Sequence, residues 1–366
     1  MSKIGLPNLT VEFHKKAVSA IERSERGIVL LLLNDSTNAA ATGVTAYGSL
    51  LDVNEDDWTA KNYRYLQYVF KGKPNKVLAV RGIRKGEKVD VSASQKLFAS
   101  LKYDWFAFPE CTSDDAAALA SFFDKAKKEK QKKWKAVLPK YSADSPAVVN
   151  FTTTDISILW DETVGVETVT TAEYTARIAG LLAGTSLTQS STFKVLDEVV
   201  DAEILEDADA DTRIGNGELI LHFDGEKFKI GRGVTSLQTV TETEPEDFKK
   251  IKIVEATDLY RTDIVETFND YYVGKYNNTY DNKMMFIGAV RTYTEELNGT
   301  VVDTSAGFSV DLDTEKIKKY IVTDGKDPLE MEEMEIRKYK TGSHLPIAAN
   351  VTFVDAMEDL DMTVNM

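Results

Sequence analysis

Residue types that most often do chemistry are sparse in this chain. Histidine occurs three times, at His14, His222 and His344, and cysteine once, at Cys111. No His-x-x-x-His pair or Cys/His spacing of a metal centre is present, and one cysteine forms neither an internal disulfide nor a structural zinc cluster. A G-x-x-x-x-G-K-[ST] phosphate loop and a G-x-S-x-G nucleophile elbow are both absent. A Ser-His-Asp site assembled through space would have to be built on His222 and one of the many aspartates, because His14 falls in a terminal segment and His344 in a turn. Carboxylate pairs carry little information, since 59 acidic residues make chance pairs unavoidable.

One acidic stretch has a recognisable spacing. In "DADADTRIGNGE" (207–218), Asp207, Asp209, Asp211 and Glu218 stand at positions 1, 3, 5 and 12 of a calcium-loop register. Position 6 is Thr212, where that loop needs glycine, so the stretch reads as an acidic surface loop. The "GRG" at 231–233 lacks the third glycine and the following helix of a dinucleotide fingerprint. The expectation is a protein with no catalytic residue, no metal and no cofactor.

Bulk properties narrow the partners. The 366 residues carry a formal net charge of −15, and a field of that sign repels nucleic acid and anionic membranes. The start, "MSKIGLPNLT", lacks a signal peptide, and "IVLLLL" (28–33) is far too short to cross a bilayer. A chain made in the cytoplasm is expected. Seven lysines crowd into "KAKKEKQKKWK" (125–135); they read as a solvated helix end whose cations complement the helix dipole, or as a basic stripe facing an acidic neighbour.

The elements expected around these residues alternate. "IVLLLLN", "KVLAV" (76–80), "DWFAF" (104–108) and "KAVLP" (135–139) read as strands. Helices are predicted at 59–71, stopped by Gly72, at 94–102, and from Thr112 or Ser113 onward. Strands spaced by helices in this way predict βαβ units and a largely parallel sheet. "TAEYTARIAGLLAG" (171–184) predicts a helix capped by Thr171, with Glu173 and Arg177 paired and Gly184 at its stop. Its stripe of Ala176, Ala179, Gly180 and Ala183 has almost no bulk and lets another backbone approach closely. "GELILHFDGEKFKIGRG" (217–233) predicts a hairpin, and "KIKIV" (250–254) a strand before a helix capped by Thr257. Helices follow near 280–297 and 313–323, and the change of texture places a domain boundary near 240.

Both ends alternate with period two. Leu9, Val11 and Phe13 share one face at the start; Leu360, Met362 and Val364 share one face at the end. Taken alone, each segment is an edge strand of the subunit's own sheet.

Several stretches together resemble one family. They are "GLPNLTVEFHKKAVSAIERSERGIV", "TAEYTARIAGLLAGT", "DGEKFKIGRGVTSLQT", "EDFKKIKIVEATDLYRTDIVETFNDYYVGKYNNTYDNK" and "DAMEDLDMTVNM". In this order they resemble the tail sheath proteins of contractile phage tails and R-type bacteriocins, above all the short sheaths of defective prophages. The resemblance implies α/β plus α+β architecture: an α/β domain called subtilisin-like, without protease activity, and a conserved C-terminal domain facing the tail tube. It further implies an N-terminal arm (1–20), sheath domain or domains over 21–240 with a sub-boundary near 92, a C-terminal domain over 241–345 and a strand arm over 346–366. The implied job is structural: hexameric rings stack into a helical sleeve around a tube protein, between baseplate and tail terminator, and contraction drives the tube through a bacterial envelope. The particle would assemble in the bacterial cytoplasm and leave by lysis. On this resemblance, Leu9, Val11, Phe13, Leu360, Met362 and Val364 are inter-subunit arm contacts, adding strands to neighbouring sheets. The alternatives are a tube or baseplate subunit and, from another class, a soluble α/β hydrolase.

Overall fold

Six consecutive apolar residues make sense only in a strand covered on both faces. In the computed structural model, which describes residues 25–37, 43–160 and 165–365, "IVLLLL" is β1 (Ile28–Leu33), buried throughout. It lies inside a seven-stranded sheet. From one edge the order is β7 (Glu218–Leu219), β6 (Val148–Phe151), β5 (Lys135–Pro139), β4 (Trp105–Ala107), β1, β3 (Lys76–Arg81) and β2 (Val44–Tyr47). All neighbours are parallel except β2, which runs antiparallel to β3. Leu30 stands opposite Leu78 on one side and Phe106 on the other.

Alternation along β1 separates two cores. Val29, Leu31 and Leu33 pack with α1 (Ala60–Lys71) and α4 (Thr171–Gly184). Ile28, Leu30 and Leu32 pack with α2 (Val91–Phe98) and α3 (Ser113–Lys128). Each fully buried leucine contributes roughly 1.5–3 kcal/mol, so this strand anchors both layers at once.

By contacts, the described chain divides into two compact units, one of residues 25–262 with 353–365 and one of 263–352. The change falls at Asp263, whereas the sequence texture placed it near 240. Asp263 lies within α6 (Ile251–Tyr271), so "KIKIV" is the first turn of a helix and not a strand, and Thr257 does not cap it. Its side chain instead bonds the Ile253 carbonyl one turn back. Ile251, Ile253, Val254 and Ala256 are all buried, and so are Lys252 and Asp258; a helix that buries polar as well as apolar residues shows no clear 3.6 period to the reader of its sequence. The second unit holds the end of α6, α7 (Tyr280–Glu296), α8 (Thr314–Thr323), α9 (Glu333–Arg337) and an antiparallel pair of strands, Ser309–Leu312 with Ile347–Asn350.

Three further expectations are corrected. Residues 207–215 are not a loop but α5 (Asp207–Gly215), whose first turn holds Asp207 and Asp209 where the helix dipole favours anions. The hairpin is limited to Leu221–Phe223 with Phe228–Ile230, because Glu218–Leu219 joins the large sheet as β7. Helix α4 is capped by Thr170, not Thr171, in a reciprocal box with Glu173. The Thr171 hydroxyl donates to the Thr153 carbonyl instead.

Candidate functional site

The small-residue helix α4 lies against α1, the element it contacts most. Ala176, Ala179 and Ala183 are buried. A Cβ placed on Gly180 would sit 2.1 Å from the Val69 carbonyl oxygen, and one on Gly184 would sit 1.8 Å from that of Gly72. Neither distance is sterically possible, so the two backbones touch directly. Arg177 does not pair with Glu173. It turns inward, its Nε donating at 2.6 Å to Glu198, a buried carboxylate that also accepts from the Tyr174 hydroxyl at 2.9 Å. Burial alone would raise the Glu198 carboxyl, but Arg177 outweighs it and holds the group below its ordinary value.

Lysines 125–135 are only partly solvated. Lys127 Nζ donates to Asp258 at 2.8 Å, and Lys135 Nζ lies 3.2 Å from Asp258 and 3.3 Å from Glu255. Arg26 completes the cluster on Glu255 at 2.7 Å, and Lys133 pairs with Asp104 at 2.8 Å. The basic run therefore fastens α3 and β5 to the first turns of α6, and the reading as a solvated stripe fails for Lys127 and Lys135.

The carboxy-terminal segment turns back onto the first unit before it becomes free. Phe353 meets the Tyr260 ring edge-on at 5.9 Å. Asp355 pairs with Lys250. The Glu358 carboxylate, with its side chain only 7% exposed, accepts from Arg232 Nε at 3.1 Å and from the Thr192 hydroxyl at 2.7 Å. The same guanidinium bridges to Asp359. Beyond that point Leu360, Met362 and Val364 are 86%, 75% and 69% exposed and belong to no strand of this chain. Leu9, Val11 and Phe13 lie outside the described residues, as does His14. Sequence reasoning missed Arg232. Its sole signal was the pair Glu358-Asp359 preceding the apolar alternation, and a lone arginine in "GRG" advertises no partner 126 residues away.

The candidate chemistry disperses. His222 lines a groove of about 330 Å³ with Asp207, Asp211, Arg232 and Glu358. His344 stacks on Tyr320, ring centres 5.6 Å apart. Cys111 is buried, and that burial pushes its thiol up to about 12, where it is not a nucleophile at neutral pH. Among the described residues no group of three His, Cys, Asp or Glu side chains could hold a metal ion, and no helix is long and apolar enough to cross a membrane.

The family whose description is phage tail sheath protein central domain matches residues 86–236. The tail sheath protein of Clostridium phage phiCD119 is 35% identical over 375 residues, spanning 99% of each chain. The chain belongs to the phage tail sheath family. Among solved structures, a sheath tail protein from Listeria innocua is similar with a TM-score of 0.66 at 17% identity, over 82% of this chain and 91% of that one. The contracted helical sheath of the anti-feeding prophage gives a TM-score of 0.70 at 13% identity, over 99% of each chain. At such identities the likeness is one of fold. A mixed α/β sheath fold is therefore shared along nearly the whole length of the chain, and this sheath protein is a structural subunit of a contractile tail.

Proposed function

We propose that this sheath subunit polymerises as stacked hexameric rings around a tail tube and contracts to drive that tube through a bacterial envelope. The observation that carries the reading is the relationship to a tail sheath protein over 99% of both chains. The first unit corresponds to the domain called subtilisin-like in the family, and the second to the conserved domain facing the tube. Baseplate and terminator proteins bound the sleeve at its ends, and the particle assembles in the cytoplasm before lysis releases it. A tube or baseplate subunit and a soluble hydrolase are less well supported, because neither accounts for that full-length relationship.

Subunits in such a sleeve must be joined by contacts that repeat without closing. The exposed alternating end supplies one: Leu360, Met362 and Val364 present an apolar face that a strand added to a neighbour's sheet would bury, with main-chain hydrogen bonds setting register. The amino-terminal Leu9, Val11 and Phe13 are proposed to do the same. Removing 360–366 is expected to abolish sleeves while leaving a monomer of unchanged melting temperature. Negative-stain microscopy of the purified chain checks this, and normal sleeves from the shortened chain would sink the arm-exchange reading.

A further inference from the structure

Lys283, in the first turn of α7, carries an amine buried without a counter-ion. The residue is 4% exposed. Its Nζ donates at 2.9 Å to the Thr341 hydroxyl and at 3.4 Å to the Tyr339 carbonyl. The Thr341 hydroxyl spends its own proton on the His344 carbonyl, so toward the lysine it only accepts. Two acceptors match the two N–H bonds of a free amine and leave its lone pair unspent, whereas an ammonium would bring a third N–H. Among the described residues no carboxylate pairs with Lys283, and burial lowers its proton affinity below that of an ordinary lysine. Lys135, buried as deeply, makes the contrast: Asp258 and Glu255 face it and hold it as an ammonium.

The amine lines a half-open cavity of about 500 Å³. Phe268, Tyr272 and Tyr276, at four-residue intervals, form its aromatic wall. Phe268 stacks on Tyr272 with ring centres 6.0 Å apart, and Tyr272 meets Tyr276 at 5.3 Å. Polar groups beside the lysine are already engaged. The N–H groups of Asn282 and Lys283 bond Thr279, and the side-chain amides of Asn278 and Asn282 donate to the carbonyls of Gly342, His344 and Asn277. An anion would find too few donors here to replace its water. A neutral, flat molecule with an electrophilic carbon suits the place better, its body on the aromatic wall and its carbon against the lone pair.

We propose that Lys283 is a reactive amine and that this cavity captures a small aromatic aldehyde on it as an imine. The Nζ lone pair attacks the carbonyl carbon, and a C–N bond forms as the carbonyl π pair moves to oxygen. Both amine protons then leave with that oxygen as one water molecule, and C=N replaces C=O. No oxidant, reductant or further reagent is consumed.

The test treats the full chain, held as unassembled subunits at neutral pH, with limiting benzaldehyde and cyanoborohydride, which reduces the imine to a stable secondary amine. Peptide mass spectrometry then compares Lys283 with the exposed Lys319. Lys283 should be labelled about tenfold faster or more, as expected of a desolvated amine, and the preference should vanish in urea, where both lysines meet the same solvent. Acetaldehyde should show a smaller preference than benzaldehyde, and Tyr272→Leu should narrow that difference about threefold. The comparison of the two aldehydes on the wild type asks the same question without a mutation. Labelling of Lys283 no faster than of Lys319 would overturn the reactive amine, and equal preference for the two aldehydes would overturn the aromatic wall as its recogniser. Neither result bears on the sheath reading, which sleeves in the microscope decide.

Discussion

Asp258 shows how much one buried side chain can be asked to hold. Burial by itself would raise its carboxyl, but the ammonium groups of Lys127 and Lys135 outweigh that and keep it below the ordinary carboxylate value of 3.8. A depressed carboxyl contributes stability above its unfolded value, and that contribution is lost as pH falls below about 3.8. Asp258→Asn should therefore cost about 3–5 kcal/mol at neutral pH by leaving buried Lys127 without its carboxylate and Lys135 with Glu255 alone. Urea unfolding will read that cost, and the variant's stability should fall less steeply than the wild type's below pH 4. Glycines were legible as residues but not as causes. Gly72 and Gly184 read as helix stops, yet Gly72 is right-handed and the left-handed residue after α1 is Lys73. Both glycines are there because another backbone passes where a Cβ would be. Gly180→Ala should accordingly lower stability by about 1–3 kcal/mol through overpacking. Gly288→Ala, with nothing within 4 Å in the middle of α7, should raise it by roughly 0.5–1 kcal/mol. Thermal melts of the pair would separate the two causes.

At the level of elements, the parallel sheet was readable because its strands are continuous apolar runs and its helices carry caps. Strands at 76–81 and 135–139 and helices at 60–71 and 280–296 fall within a residue or two of their predicted bounds. Failures came where neighbours override local pattern. Residues 250–254 look like a strand because tertiary burial on most sides erases the helical period, and 207–215 looks like a loop because only Ala210 is buried. The terminal segment is a mixed case. Its alternation was plain, but the fastening of its root was not, since that depends on Arg232 and Lys250, two side chains distant in sequence. Arg232→Glu should release residues 353–359, raising their amide hydrogen exchange about tenfold with little change in that of α1 and α4. Unchanged exchange over that stretch would show that Phe353 and Lys250 suffice.

On the scale of the whole molecule, function was readable only as likeness to a family, because no catalytic or metal-binding motif stands in the sequence to point elsewhere. Absence of motifs excluded little, whereas ordered resemblance over the length of the chain pointed to one assembly. Residues that join copies are hard to see in one copy: an apolar side chain awaiting a neighbour looks like any exposed apolar side chain. The fastened root of the terminal segment has a mechanical consequence too. From Leu360 to Met366 an extended chain reaches about 25 Å, but from Phe353 it reaches about 50 Å. Partly exposed ion pairs such as Arg232 with Asp359 yield before a run of strand hydrogen bonds does. On the proposed arm exchange, a subunit pulled away from its neighbour would thus pay out slack, doubling its tether before the joint between copies takes the load.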